Sequence, residues 1–370
     1  MKKLIYKKII YDINVFFIIA IICVTAVIWV IQAVNFLDVI SEDGHSFKVY
    51  FFYTVFNLPK IVSKILPFIF FITLINILIK YETNNELIIY WLLGINKINF
   101  INTIIKLSFL YFFLQIFFTS FLVPYSLDKA RSFFRSSNVD LFTSIIKEKK
   151  FIDTVSGLTI FIEKKDGNDL EKIILKDRIS YNESQIIVAT KGKIVDNNFN
   201  KSLILFNGKI INYSNNNQKI IDFSEFKFDL SKYTTNTITH PKIQESNSKI
   251  LISCLMQLRN ASIISNPLNC QVGMNDIIEE ELFKRFYSPL YIILIALISS
   301  LIIQRSKYSK KYFLFNTLIF LLGVLCIILS DVLLKYTSIN RFGSLIYLGF
   351  PSALFVSIYL YLMISFKKTT

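Results

Sequence analysis

Six long apolar stretches, three before a polar middle and three after it, restrict this chain more than any other feature. A helix needs about 20 apolar residues to cross a bilayer core. The stretches are Val15–Val34, Val49–Ile79, Ile98–Val123, Leu290–Ile303, Tyr312–Leu334 and Leu345–Phe366, and the fourth is short unless it begins near Phe283. With 53% hydrophobic residues and 36 Phe in 370 positions, the chain is too apolar for a soluble domain of this size. The first stretch is too long for the apolar region of a signal peptide and no small-residue cleavage site follows it, so it reads as an uncleaved first span.

The net charge of +15 calls for no nucleic-acid partner, because the basic residues crowd the ends of the apolar runs. Lys2, Lys3, Lys7, Lys8, Arg305, Lys307, Lys310, Lys311, Lys367 and Lys368 are so placed. Basic flanks resist translocation. Both termini and residues 80–97 and 304–311 are therefore expected on the cytoplasmic side. The loops 38–48 and 331–344 are poorer in Lys and Arg and fall outside, as does the polar middle. Cys23 and Cys326 lie in apolar runs, whereas Cys254 and Cys270 are free to pair in an oxidising compartment without being forced to.

The middle reads as β structure. "LTIFIEKKDGNDLEKIILKD" sets two strand-like runs around Asp166-Gly167, a hairpin dipeptide, and "IIVATKGKIVD", "KSLILFNGKIINY" around Asn207-Gly208, and "IIDFSEFKFDLS" follow. Phe223, Phe226 and Phe228 face one way only if the register shifts after Phe223. Short strands broken by Gly and Asn predict a sandwich or jelly-roll. Beyond Pro241, "SKILISCLMQLRNASII" and "NDIIEEELFKRFYSPL" read as helices. The expected organisation is residues 1–135 for three spans, 150–240 for the β domain, 245–288 for a helical connection and 289–370 for three more spans. Within the first block a helix is expected at 82–97.

Catalytic signatures are missing from the sequence. No G-x-x-x-x-G-K-[ST] loop occurs, and Lys193 and Lys209 follow lone glycines in what reads as hairpin chemistry. The two histidines, His45 and His240, have no metal-ligand spacing, and no serine has a plausible histidine partner for catalysis nearby in sequence. No catalysis, metal or bound cofactor is expected.

One short block stands apart. Thr83-Asn84-Asn85-Glu86 fits a capping box, and Leu87 to Leu93 are apolar nearly all round before Gly94 stops the helix. Such a helix is buried on more than one side. On the cytoplasmic face, membrane and a protein partner are its natural covers, with Glu86 near the partner.

These residues carry a resemblance. The chain resembles the lipopolysaccharide-export permeases of the LptF/LptG type in "QAVNFLD" closing the first span, Leu66-Pro67 in the second, and the blocks "NELIIYWLLGI", "LTIFIEKKDG", "IIVATKGKIV", "LILFNGKI" and "ELFKRFYSPL". "ILKDRI", with Asp177-Arg178, is nearer the LptF half. The resemblance implies three spans, a periplasmic jelly-roll and three more spans in a Gram-negative inner membrane. It also implies a cytoplasmic ABC ATPase dimer (LptB-like) that uses ATP and Mg, a second permease half (LptG-like), a single-span jelly-roll protein (LptC-like) and a periplasmic bridge (LptA-like). ATPase coupling then falls to Glu86, Leu87, Tyr90 and Gly94. The cargo is lipopolysaccharide, entering sideways between the first span of one half and the fifth of another. The chain departs from the family at Asn35, where a basic residue is usual, so a phosphate contact there is not carried over.

Lys60 and Lys64, one turn apart in the outer part of the second span, and Arg131 and Arg135 after the third are the head-group candidates. Charge at membrane depth is costly unless it faces a polar cavity or a partner, although snorkelling explains Lys60 readily. Phe161, Phe206, Phe226 and Phe228 are candidates for an acyl-chain path through the β domain, with ordinary core as the plainer assignment. Two rivals stand beside this reading. A mechanotransmission-type ABC permease favours four spans and a larger outer domain. A membrane-bound lipid- or sugar-modifying enzyme needs an acidic or histidine cluster, for which Glu42, Asp43 and His45 are the one thin group.

Overall fold

A computed structural model of the chain describes residues 2–37, 47–133, 148–155, 158–167, 169–180, 183–197, 200–214, 217–229, 242–260, 274–337 and 341–367. The helices are α1 (Lys2–Asn35), α2 (Phe47–Phe56), α3 (Leu58–Thr83), α4 (Glu86–Leu92), α5 (Lys97–Phe117), α6 (Ser248–Asn260), α7 (Asn275–Phe286), α8 (Leu290–Ser300), α9 (Tyr312–Tyr336) and α10 (Arg341–Lys367). The strands are β1 (Phe151–Val155), β2 (Leu158–Asp166), β3 (Asp169–Ser180), β4 (Glu183–Asn197), β5 (Asn200–Ser214) and β6 (Asn217–Asp229). Among the described residues, five helical stretches are long and apolar enough to cross a membrane, or six if Asn275–Phe286 and Leu290–Gln304, bent by 45° to each other, count as one span. The chain is a helical membrane protein with an inserted β domain.

The chain divides into two compact units: Met1–Ile31, Phe56–Asp128 and Lys242–Thr370 form the first, Gln32–Val55 and Lys129–Pro241 the second. In the first, α8 is the hub. Ile292 through Ile298 are all buried, and α3, α5, α9 and α10 pack around it. This explains why the fourth apolar run is short: Pro289 ends the helical path from α7, and the span restarts in the interior of the bundle. By contrast, α1 presents Ile18, Ile19, Ile22, Val27, Val30 and Ile31 outward and buries only Ile9, Ile13, Phe17 and Thr25.

Lipid is as apolar as a helix interior, so helices in it are held by close fit and polar clasps rather than by the hydrophobic effect. Both occur here. Phe71 of α3 occupies the space where a side chain at Gly323 of α9 would lie. Tyr81 donates to Asp12 at 2.7 Å and Tyr111 to Asn14 at 2.6 Å, tying α1 to α3 and α5, while Gln115 donates to the Ser63 carbonyl at 2.8 Å. A π-helical turn at Phe118–Leu122 extends α5, and the helix continues to residue 133.

The β domain is a six-stranded antiparallel sheet in the order β1-β2-β3-β4-β5-β6. It reaches a sandwich-like core by a meander, with no Greek-key crossover among the described strands. The ladder is interrupted along one line, at Glu163, Lys172, Thr190, Asn207 and Ser224, without any shift of register at these points. Across that line the buried face changes parity: Ile173 and Leu175 against Leu170, Ile187 and Ala189 against Ile194, Ile210 against Leu203 and Leu205. Each strand is re-aimed there, so the apolar side chains of both halves reach one core. Lys172 and Asn207 take positive φ on the line, Lys172 pairs with Glu163 at 2.8 Å, and the Thr190 hydroxyl donates across to the Phe206 and Asn207 carbonyls.

Two sequence expectations change in consequence. Asn207-Gly208 lies within the single 15-residue β5 rather than at a hairpin, and Lys193 and Lys209 sit inside continuous strands. Positive φ serves a kink here as well as a turn, and the residue types are the same. Phe223 and Phe226 do pack on the same core, as the required change of face implies, but the change comes from the shared line at Ser224 and not from a slipped register.

Candidate functional site

At the end of the first unit that carries the termini, α3 runs through Thr83 and the chain turns at Asn84-Asn85 into α4. Because Thr83 is still helical, its hydroxyl back-bonds to the Lys80 carbonyl at 3.0 Å and caps nothing. The expected capping box is therefore absent. Asn85, with φ of 64°, starts the helix. The Glu86 carboxylate instead accepts from Lys8 Nζ at 2.7 Å and from the Tyr90 hydroxyl at 3.0 Å. Burial pushes the Glu86 carboxyl up, but the hydrogen bonds from Lys8 and Tyr90 and the Lys8 charge outweigh it and hold the group below the ordinary carboxylate range. Burial, with Glu86 beside it, pushes the Tyr90 phenol up.

The α4 helix is two-sided. Leu87 and Tyr90 are buried, with the Tyr90 ring edge-on to Tyr81, whereas Ile89, Leu92 and Leu93 are exposed, Leu92 at 82%. An exposed apolar ridge beside a buried anchor face marks a contact surface. Gly94, at φ +73°, then lets the chain reverse into α5.

The opposite end of this unit holds a cavity of about 600 Å³. The start of α3 supplies Lys60 and Lys64, α7 supplies Glu280, Glu281, Lys284 and Arg285, and the end of α9 supplies Asp331 and Lys335. Pro67, Phe68, Val123, Leu127, Ile295, Ile327 and Leu334 form apolar wall. Five basic groups against three acidic ones, set in apolar walls, suit an anionic amphiphile.

Arg285 plays a different part from the lysines. It is 1% exposed, pairs with Glu281 at 3.0 Å and donates to the Ser246 carbonyl and the Ser248 hydroxyl. The Ile243 and Gln244 carbonyls accept from its other nitrogen. It thus knots α7 to the short 3₁₀ turn Ile243–Glu245. The π turn of α5 joins this knot, since Thr119 donates to the Arg285 carbonyl and Ser248 to the Ser120 carbonyl.

Sequence spacing pairs Lys60 with Lys64, and the fold adds Lys284 and Lys335, whose convergence no local pattern signals. Arg131 lies on the extension of α5 in the second unit, and Arg135 lies outside the described residues, as do Asn35's neighbour Asp38, Glu42, Asp43, His45 and His240. In the β domain Phe228 is buried core and Phe226 packs against it, whereas Phe161 and Phe206 are half-buried, the Phe161 ring lying tilted against Phe151. Cys254 is disulfide-bonded, and Cys23 and Cys326 are free thiols.

Two comparisons bear on the site. The sequence model of the lipopolysaccharide export system permease LptF/LptG matches residues 8–365. An uncharacterized Rickettsia prowazekii (strain Madrid E) protein, RP871, is 23% identical over 290 residues, 78% of this chain and 78% of that protein.

Proposed function

The chain belongs to the LptF/LptG family of lipopolysaccharide export permeases, and from this premise we propose that it extracts the lipid with work drawn from a separate ATPase. It is an inner-membrane multi-pass protein. Both termini and α4 are assigned to the cytoplasm and the β domain to the periplasm. The clustering of Lys and Arg at the termini end supports this, as does the disulfide at Cys254, since disulfides persist outside the cytoplasm.

In the proposed cycle a lipopolysaccharide enters sideways from the outer leaflet, past the loosely packed α1 of one half and α9 of the other. Lys60, Lys64, Lys284 and Lys335 hold its phosphates while the apolar walls take the acyl chains. The LptB-like ATPase dimer docks on the exposed ridge of α4 and closes the halves as it turns over ATP with Mg. The cargo then passes to the β domain and on through the LptC-like and LptA-like jelly-rolls, with Phe161, Phe206, Phe226 and Phe228 along the acyl path. Asp177-Arg178 favours the LptF half for this chain, opposite an LptG-like one.

The observation that carries this reading is the cavity, where lysines from three separate helices converge on one apolar-walled space. Photocrosslinking from position 64 in the assembled transporter tests it. Lipopolysaccharide adducts that disappear when ATP turnover is blocked are expected. Adducts with bulk phospholipid alone would refute the cargo assignment.

A further inference from the structure

The termini end contains a second acid, Glu82, whose position on α3 runs against ordinary helix electrostatics. It stands in the last turn, where the helix dipole disfavours a negative charge, and it is only 5% exposed. Its compensation comes from across the bundle. The Glu82 carboxylate accepts the backbone N–H of Lys307 at 2.8 Å, the Lys307 ammonium donates to the Thr83 carbonyl at 3.0 Å, and the Tyr308 hydroxyl lies 3.4 Å from the Asn85 side-chain oxygen. Lys307 and Tyr308 belong to the loop between the α8 span and α9. That loop has little slack: Tyr312 N–H donates to Ser309 and Phe315 N–H to Lys311, so it winds directly into α9.

The turn leading into α4 is therefore clasped to α9 through Glu82, while α4 itself is clasped to α1 through Glu86 and Lys8. Neither of these two spans is joined to α4 by a short stretch of chain. We propose that Glu82 is a positioning residue that carries displacement of α4 to α9, by an arm independent of the Lys8–Glu86 arm to α1. The acceptor geometry suits this role. The Glu82 carboxylate is held by a backbone N–H rather than by a mobile side chain, so displacing the helix end without the loop breaks a bond to a buried acid. This rests on the reading of α4 as the element an ATPase drives.

The test uses the reconstituted transporter with both permease halves and the ATPase. Spin labels on Cys23 of α1 and on Leu325→Cys of α9 are each measured against Phe113→Cys of α5, all three sites being exposed. With Glu82→Ala, the nucleotide-dependent change at α9 should vanish while that at α1 and the ATP hydrolysis rate persist, and lipid release should fall at least about tenfold. Glu82→Gln, which keeps an acceptor oxygen, should restore the α9 movement. Lys307→Pro, which deletes the donor without touching the acid, should reproduce the loss even if the alanine variant folds poorly. Unchanged α9 movement in both Glu82→Ala and Lys307→Pro would overturn the proposal and leave the transporter reading standing. Absence of nucleotide-dependent movement at both labels in the otherwise native chain would overturn both.

Discussion

The two ends of the helical unit handle charge in opposite ways. At the termini end, Glu86, Glu82 and Asp12 each meet a donor from a different element: Lys8, the Lys307 backbone and Tyr81. At the far end, Lys60, Lys64, Lys284 and Lys335 line one cavity together, with basic groups in excess. Where such a contact is buried, as at Glu82, separating it leaves a buried polar group unsatisfied. A surplus of one sign in apolar walls instead creates a place for a counter-charged ligand. On the proposed function the two ends have complementary tasks, one mechanical and one of binding.

Arg285 is the sharpest probe of this contrast, because it is a basic residue of the far end that behaves like the closed pairs. Arg285→Ala should cost about 3–5 kcal/mol of stability by stranding Glu281 and four acceptors, read as a large drop in unfolding temperature in detergent. Lys64, on the cavity wall, should respond in reverse. Lys64→Glu should weaken lipid capture by about 1.5–3 kcal/mol, roughly 10–100-fold in binding, while shifting stability by no more than about 0.5 kcal/mol. A lysine variant that unfolds the protein, or an arginine variant that leaves it intact, would erase the distinction.

Smaller effects are expected at the termini end. Tyr81→Phe removes the donor to Asp12 and should destabilise the α1–α3 contact by about 1–2 kcal/mol, detected as faster hydrogen exchange in α1. The least effect comes from acid. The folded-state pKa of Glu86 is lowered, so the Lys8–Glu86 pair contributes fully above the ordinary carboxylate range and is lost as pH falls through and below it. Neutral-pH behaviour should be flat, and the loss on acidification should stay under about 1 kcal/mol because the pair is partly exposed. Titration of the Glu86 carboxyl by NMR in labelled protein measures it, and Lys8→Met should raise its midpoint.

Much of this architecture is legible in the chain. Runs of apolar residues name the spans because bilayer thickness sets their length, and Gly94 marks the end of α4 because few other residues tolerate its φ. The rest fails for identifiable reasons. Thr83 to Glu86 matches a capping box in spacing, but α3 continues past the point at which Thr83 had to leave helical geometry. Asn207-Gly208 signals positive φ without telling a turn from a fold line across five strands. Lys284 and Lys335 join Lys60 and Lys64 only in three dimensions, and Lys8 meets Glu86 across 78 positions. Contacts of that kind leave no periodic trace.

The claim on which the account rests is that α4 transmits ATP-driven work to a lipid site at the other end of the same unit. The direct measurement is lipopolysaccharide released per ATP hydrolysed in vesicles carrying both permease halves and the ATPase, compared between the native chain and Glu86→Lys. The account predicts that Glu86→Lys protein folds and binds lipid normally but releases at least about tenfold less of it per ATP. Equal release per ATP, or release by the native chain with the ATPase omitted, would contradict it.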